Sequence, residues 1–127
     1  MKKGVSVMLA ILFLVSGFTF AEQKQKIAVA ANDKIPGASV SSQAGRSPFF
    51  LLFDEKGKLT EVITNPYKEA GNSGIAVADF LAGKGVTIVV AEGFGDRIVQ
   101  VMKSKGIRAV AFKGSAEEAI KKVLQSN

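Results

Sequence analysis

The sequence predicts one α/β domain in three α/β/α layers, with a mixed five-stranded sheet between helices. Its 127 residues, of which 47% are hydrophobic and 22% charged, suit the core of a single domain. In the second half of the chain, short apolar runs typical of buried strands alternate with apolar residues at helical spacing, as in a parallel sheet. A hairpin pattern precedes them and adds antiparallel strands. The predicted order is β-β-β-α-β-α-β-α.

The first three strands follow from apolar runs in the first half of the chain. Residues 26–31 (KIAVAA) are typical of a strand that is buried on both faces. Residues 49–53 and 59–64 form the predicted hairpin, because Gly57 between them can adopt the left-handed conformation of a short turn. Successive residues of a strand face opposite sides, and both sides of this sheet are covered. The predicted core residues of the hairpin are therefore Phe49, Phe50 and Phe53.

A helix and a further buried strand come next. Asn72 and Ser73 are predicted to cap a helix over residues 74–82, which ends at the glycines that follow it. Residues 86–91 form a strand that is again apolar throughout. Because a helical crossover connects the strands, this strand and the last one are expected to run parallel.

The last three elements have clear boundaries in the sequence. Asp96 is predicted to cap a helix that ends at Gly106, and residues 107–112 form the last strand. Ser115 and Glu118 have the spacing of a capping box, and apolar residues at helical spacing follow them. The chain therefore ends in an amphipathic helix.

Residues 1–21 have the parts of a secretory signal peptide in the expected order. Lys2 and Lys3 form the positive region, an uncharged apolar stretch follows, and Ala21 is a small residue before the cleavage point. Cleavage after Ala21 would leave residues 22–127 as a single secreted or periplasmic domain without a stable membrane span, with a net charge of +4 instead of +6. The alternative is a retained membrane anchor, because the uncharged stretch reaches the lower limit for spanning a bilayer.

Composition excludes several kinds of chemistry. The chain has no cysteine and no histidine, so thiolate nucleophiles, disulfides, imidazole bases and Cys/His zinc sites are absent. Its lysines are scattered and form no basic stripe with aromatic residues, so no nucleic acid partner is expected. The enzyme alternative is a metal-dependent nuclease, whose carboxylates would have to converge on two cations. The available carboxylates are Asp33, Asp54, Glu61 and Asp79. Convergence is not expected, because two of them belong to a hairpin turn and to a helix.

The loop over residues 32–48 is the first candidate site. It consists mostly of Asn, Asp, Pro, Gly, Ser, Gln and Arg, and long connections of this kind are usually functional or mobile. Arg46 near its end is a candidate anion ligand, because a guanidinium suits oxyanions and cluster sulfides alike. The alternative for Arg46 is an ordinary surface residue.

Two glycine-containing turns, at residues 72–74 and 93–95, are further candidate anion sites. Each opens a predicted helix, where free amide groups and the helix dipole favour an anion. Such turns lie where the carboxyl ends of the strands meet, and in open α/β sheets ligands collect at that edge. The alternative is a tight turn that needs glycine for conformational reasons alone. Phe94 lies between two glycines and is a candidate exposed aromatic residue. The candidate residues are Asn72, Ser73, Gly93, Phe94 and Gly95.

Several segments, taken in order and spacing, resemble one known family. They are the strand KIAVAANDK, the hairpin GRSPFFLLFDEKGK with its VITNP ending, the strand and turn VTIVVAEGFGDR, and the helix SAEEAIKKVL. From Lys26 to Leu124 the chain is similar to the dinitrogenase iron-molybdenum cofactor biosynthesis family, the NifX/NifY type of domain that also ends NifB proteins. The resemblance implies a ribonuclease H-like fold, no catalytic activity, and binding of iron-sulfur or iron-molybdenum cluster precursors.

The chain departs from this family at one informative place. Many members carry His-Phe-Gly-Arg before the hairpin, where this chain has Gln43-Ala44-Gly45-Arg46. A glutamine amide is a far poorer ligand for iron than an imidazole, and no cysteine is present to ligate a cluster. An anionic cluster or oxyanion would then be held by Arg46, backbone amides and short polar side chains. Gln43 and Gly45 complete the set of candidate site residues.

The resemblance and the departure together predict a non-enzymatic binding protein outside the cytoplasm. Its ligand is an anionic metal cluster or a simpler oxyanion such as molybdate. The alternative is a module that kept the fold, lost the cofactor and binds a protein partner, since nitrogenase cofactor assembly is cytoplasmic in the family. The open edge of the hairpin could also pair with a second copy of the chain and form a homodimer.

Overall fold

The computed structural model describes residues 24–126. The predicted signal peptide and its cleavage site after Ala21 lie outside the described residues. Five strands form one sheet: β1 (Ile27–Ala31), β2 (Phe49–Phe53), β3 (Leu59–Thr64), β4 (Ile88–Ala91) and β5 (Arg108–Ala111). The helices are α1 (Ser73–Gly83), α2 (Asp96–Ser104) and α3 (Ala116–Gln125). Within residues 24–126, no helix has the length and apolarity needed to cross a bilayer.

The sheet is mixed, as the sequence predicts. Its strand order is β3-β2-β1-β4-β5. β2 is antiparallel to β1 and β3, whereas β1, β4 and β5 run parallel. The element order β-β-β-α-β-α-β-α is confirmed. Because β1 is central and parallel to β4, their carboxyl ends meet at one edge of the sheet, where ligands of such folds collect.

Each face of the sheet has its own hydrophobic core. Alternate residues such as Ala28 and Phe50 point to the face that α1 and α2 cover. Their neighbours, such as Val29 and Leu51, point to the face that α3 covers. The three layers are therefore α1 with α2, the sheet, and α3.

The phenylalanines of β2 are not all core residues. Phe50 and Phe53 are buried, as predicted. Phe49 is only partly buried, and Lys34 Nζ lies 5.3 Å from the centre of its ring. The prediction for Phe49 is therefore only partly right, because this residue begins the strand beside the polar loop.

The last two strands are shorter than the apolar runs that predict them. β4 begins at Ile88 and β5 at Arg108. Val86 and Ile107 lie outside the strands and are nevertheless buried. An apolar run indicates which residues are buried. In both segments the buried residues begin before the first residue of the strand, so the run overestimates the length of the strand.

The predicted helix caps are confirmed in full for α3, in position only for α1, and not for α2. Ser115 and Glu118 form the predicted capping box of α3, with nitrogen-to-oxygen distances of 3.1 and 2.9 Å. For α2 the prediction is wrong, because Gly95 is the N-cap and Asp96 is the first helical residue. For α1 the position of Asn72 is right, but its side chain makes no cap hydrogen bond. The helix begins at Ser73, one residue earlier than predicted.

Two carboxylates that organise turns are expected to make the fold less stable in acid. A hydrogen bond from the Ser115 amide lowers the pKa of Glu118, and one from the Lys58 amide lowers the pKa of Asp54. A lowered pKa in the folded state means that the ionised carboxylate stabilises the fold above its ordinary pKa. That contribution is lost as the pH falls through the lowered value.

We therefore expect the Tm to fall as the pH drops below about 4, the ordinary carboxyl range. Thermal unfolding between pH 7 and pH 3 measures this. Glu118→Gln should lower the Tm at pH 7 and show a smaller further loss in acid. An equal acid loss in the wild type and in this variant would contradict the assignment.

Candidate functional site

The predicted loop between β1 and β2 has a defined backbone path. Isolated β-bridges tie it to β1, to the start of α3 and to the turn after β4. They pair Ala31 with Val40, Ser39 with Ser115, and Gln43 with Gly93. Val40 and Ala44 are buried. The loop is therefore packed against the carboxyl edge of the sheet and is not a structureless connection.

Gln43 and Gly93, two predicted site residues, lie side by side. The Ala44 amide donates a hydrogen bond to the Gly93 carbonyl oxygen at 3.3 Å. A Cβ on Gly93 would lie 3.1 Å from the Ser42 carbonyl oxygen. Glycine at position 93 thus allows the loop to approach the turn closely.

Gly45 brings the same loop onto the first turn of α1. A Cβ on Gly45 would lie 3.0 Å from both the Cα and the nitrogen of Gly74, and 3.2 Å from Ser73 Oγ. Such contacts with backbone are tighter than almost any real side chain makes. Only a residue without a side chain lets these two segments touch as they do.

The first turns of α1 and α2 also touch each other. A Cβ on Gly74 would lie 3.2 Å from the Cβ of Ile98, which belongs to the first turn of α2. The turns at residues 72–74 and 93–95, which the sequence offers as separate candidate sites, are therefore neighbours. These two turns, the first turns of α1 and α2 that follow them, and residues 42–46 form what we call the junction.

Arg46 contacts the chain that precedes α1. Its Nη1 donates hydrogen bonds to the carbonyl oxygens of Lys68, at 2.8 Å, and Ala70, at 3.2 Å. The side chain is exposed. The guanidinium thus holds residues 68–70, and this second role could not be seen in the sequence because the partners lie 22 and 24 residues away.

Asn65 holds the loop around Gly45 in place, whereas its position in the sequence indicates only the end of a strand. Its side-chain amide donates to the carbonyl oxygens of Gly45, at 3.1 Å, and Ser47, at 2.9 Å. Its Oδ1 accepts from the Tyr67 amide at 2.8 Å. Asn65 is buried, so water competes little for these bonds.

The junction offers two groups of free backbone donors. The first amides of α1, at residues 73–75, have no acceptor within residues 24–126. The same holds for the first amides of α2, at residues 96–98, where the Asp96 carboxylate is also present. No side chain caps the start of α1 or of α2. Such amides and the helix dipole attract an anion.

Phe94 is half-buried, and it packs against the core beneath α1 and α2. The expectation of an exposed aromatic residue is therefore wrong. This packing explains why an apolar residue can stand between two glycines.

Arg97 was missed by sequence reasoning. It lines a depression of about 130 Å³ together with residues 71–75, so its side chain faces the start of α1. An arginine in the first turn of an amphipathic helix is ordinarily a solvated surface residue. Arg97 lies beside the start of α1 because Gly74 and Ile98 bring the two helices into contact. The depression therefore combines a guanidinium with free amides.

The four carboxylates of the nuclease alternative are dispersed. Asp54 accepts two amide hydrogen bonds within the hairpin turn. Glu61 pairs with Lys84, and Asp79 pairs with Lys105, each at 2.9 Å. In the part of the chain that the structure describes, no three His, Cys, Asp or Glu side chains are grouped to hold a metal ion.

A family model, described as dinitrogenase iron-molybdenum cofactor, matches residues 23–126. The chain belongs to this family. Members of the dinitrogenase iron-molybdenum cofactor family are generally cofactor-binding or cofactor-carrier proteins and not catalytic enzymes. No curated protein sequence matches the chain.

Solved structures share the fold of this family member. The apo form of the orange protein from Desulfovibrio gigas has a TM-score of 0.74 and 22% identity, covering 80% of this chain and 88% of that one. The protein PH0822 has a TM-score of 0.69 and 27% identity, covering 81% and 93%. A NifB-like protein from Thermotoga has a TM-score of 0.66 and 24% identity, covering 81% and 89%.

Proposed function

We propose that the protein is a non-enzymatic binding protein that works outside the cytoplasm and holds an anionic metal cluster or an oxyanion at the junction. The observation that carries this proposal is the meeting of three segments at one edge of the sheet. The loop around Gly45 touches the first turn of α1, and that turn touches the first turn of α2. All three were candidate anion sites in the sequence.

The hydrogen-bond donors at the junction suit the outer oxygen or sulfide atoms of an anion, and they cannot bond its metal atoms. The chain has no thiol and no imidazole to bond iron. Amide hydrogens and guanidinium groups donate to oxygen or sulfide ligands that the anion already carries. The chain's own contribution is to bind and orient the anion, with Arg97 beside the start of α1 and Arg46 beside the chain that precedes it as the charged donors.

Anaerobic titration of the purified protein with iron-sulfur clusters, molybdate and tungstate tests the proposal. We expect saturable binding of at least one of these anions, and weaker binding in Arg46→Ala. Arg108→Ala, an exposed arginine on β5, is the control and should bind like the wild type. Absence of binding to every anion, or spectroscopy showing a bond from a protein atom to the metal, would refute it.

We also propose export with removal of residues 1–21. The support is the order of charged, apolar and small residues in that segment. Fractionation of cells that express the full chain, followed by mass measurement, should find a protein that begins at Glu22 outside the cytoplasm. An intact N-terminus on cytoplasmic protein would contradict export.

A partner-binding module is the second candidate, and one surface favours it. An apolar groove of about 350 Å³ lies between the hairpin and α3, with Phe53, Leu59 and Leu124 in its lining and lysines at its rim. Failure of all anions to bind, together with a partner whose binding is lost in Leu124→Glu, would favour this function over the first.

A further inference from the structure

The start of α1 differs from that of the other helices in lacking any acidic group. Glu117 and Glu118 lie in the first turn of α3, and Asp96 lies in the first turn of α2. The first turn of α1 has no acidic residue, and Asn72 makes no cap hydrogen bond. Its dipole and its first amides are therefore left for a group from outside.

Ser73 points to the same conclusion independently. The residue is only 6% exposed, and its hydroxyl has no hydrogen-bond partner within residues 24–126. The described residues contain no unpaired polar side-chain atom that is completely enclosed, so the hydroxyl keeps some exposure, and Ser73 lines the depression. Buried hydroxyls are normally paired, because an unpaired one costs stability. A ligand in the depression would supply the missing partner.

Arg97 supplies the charge on the other wall of the depression. Its guanidinium can donate two parallel hydrogen bonds to one oxyanion. The neighbouring Asp96 is exposed and lies at the start of α2, where the dipole of that helix offsets its charge. The depression thus has a donor from a side-chain hydroxyl, donors from the backbone and a bidentate cation.

The depression is large enough for a small anion. Its volume is about 130 Å³, and a water molecule occupies about 30 Å³ of liquid. The space therefore has room for one tetrahedral oxyanion in place of a few waters.

We propose that Ser73 Oγ, the amides of Gly74 and Ile75, and the Arg97 guanidinium form a subsite for a single tetrahedral oxyanion of the molybdate and sulfate class. This inference rests on the proposed function and gives it a ligand class and a charged residue. The subsite recognises the oxygen atoms by hydrogen bonds and leaves the central atom without any bond to the protein.

Isothermal titration of the purified protein with sodium molybdate tests the subsite, with sodium sulfate and sodium phosphate as separate arms that show which member of the class binds best. We expect Arg97→Gln to raise the Kd at least about tenfold and Ser73→Ala about fivefold. Ser104→Ala at the end of α2 and Arg108→Gln on β5 are matched controls and should stay within about twofold of the wild type.

Thermal unfolding separates a binding role for Ser73 from a structural one. Because its hydroxyl has no partner in the protein, Ser73→Ala should leave the Tm without ligand unchanged or raise it. The same variant should lose most of the rise in Tm that molybdate gives to the wild type. A lower Tm without ligand would mean that the hydroxyl stabilises the fold, and would overturn its assignment as a ligand donor.

The remaining outcomes distinguish this inference from the proposed function. Wild-type binding of an oxyanion or an iron-sulfur cluster that is unchanged in both Arg97→Gln and Ser73→Ala would overturn the subsite and leave the proposed function intact. Absence of binding to any oxyanion and to any cluster would overturn both.

Discussion

Replacing Asn65 by alanine is expected to lower the free energy of unfolding by about 2–4 kcal/mol. The substitution leaves the carbonyl oxygens of Gly45 and Ser47 without their donor, and the Tyr67 amide without its acceptor. Asn65 is buried, so water does not readily replace these bonds. Urea or thermal unfolding of the purified protein measures the loss.

The matched control is Asn72→Ala. Asn72 is exposed and its side chain makes no cap hydrogen bond, so its removal should change the free energy of unfolding by less than about 0.5 kcal/mol. Asn65→Ala should also weaken anion binding, because the loop around Gly45 is no longer held against α1. A variant as stable as the wild type would show that Asn65 does not hold the loop.

Replacing Gly45 by valine is expected to weaken anion binding by at least about tenfold and to cost about 1–3 kcal/mol of stability. The first carbon of the side chain would already lie 3.0 Å from the backbone of Gly74 and 3.2 Å from Ser73 Oγ. The backbone of Gly74 cannot move away as the end of a flexible side chain could. The loop or the first turn of α1 must therefore shift, and the junction loses its geometry.

Gly83→Ala is the control for this prediction. A Cβ there meets nothing within 4 Å, and the residue ends α1 far along the helix from Ser73. Its stability should be equal to or above that of the wild type, with unchanged anion binding. Binding by Gly45→Val equal to that of the wild type would show that the contact between the loop and α1 is not needed for the site.

The sheet and its order could be predicted from local patterns. The apolar runs of β1 and β4, the glycine of the hairpin and the capping box of α3 each depend on neighbours within a few residues. Gly57 and Gly106 do have positive φ values, of 83° and 75°. Local steric and hydrogen-bonding rules are therefore sufficient to fix the elements and their sequence.

The arrangement of the candidate site depends on contacts between distant parts of the chain. Arg97 has significance only because Gly74 lets α2 approach α1, and Arg46 is bound to carbonyl oxygens that no spacing rule reveals. Asp96 has the chemistry of a helix cap, but Gly95 occupies the N-cap position in an extended conformation. Residue type indicates what a group can bind, and tertiary contacts decide what it meets.

We propose that amide hydrogens, a hydroxyl and guanidinium groups together bind an anion at the junction. The most direct test is to follow every backbone amide by ¹H–¹⁵N NMR while the ¹⁵N-labelled protein is titrated with molybdate. We expect the largest shift changes at residues 73–75 and 96–98, with smaller ones at residues 42–46. Largest changes in the groove between the hairpin and α3, with the junction amides unmoved, would contradict it.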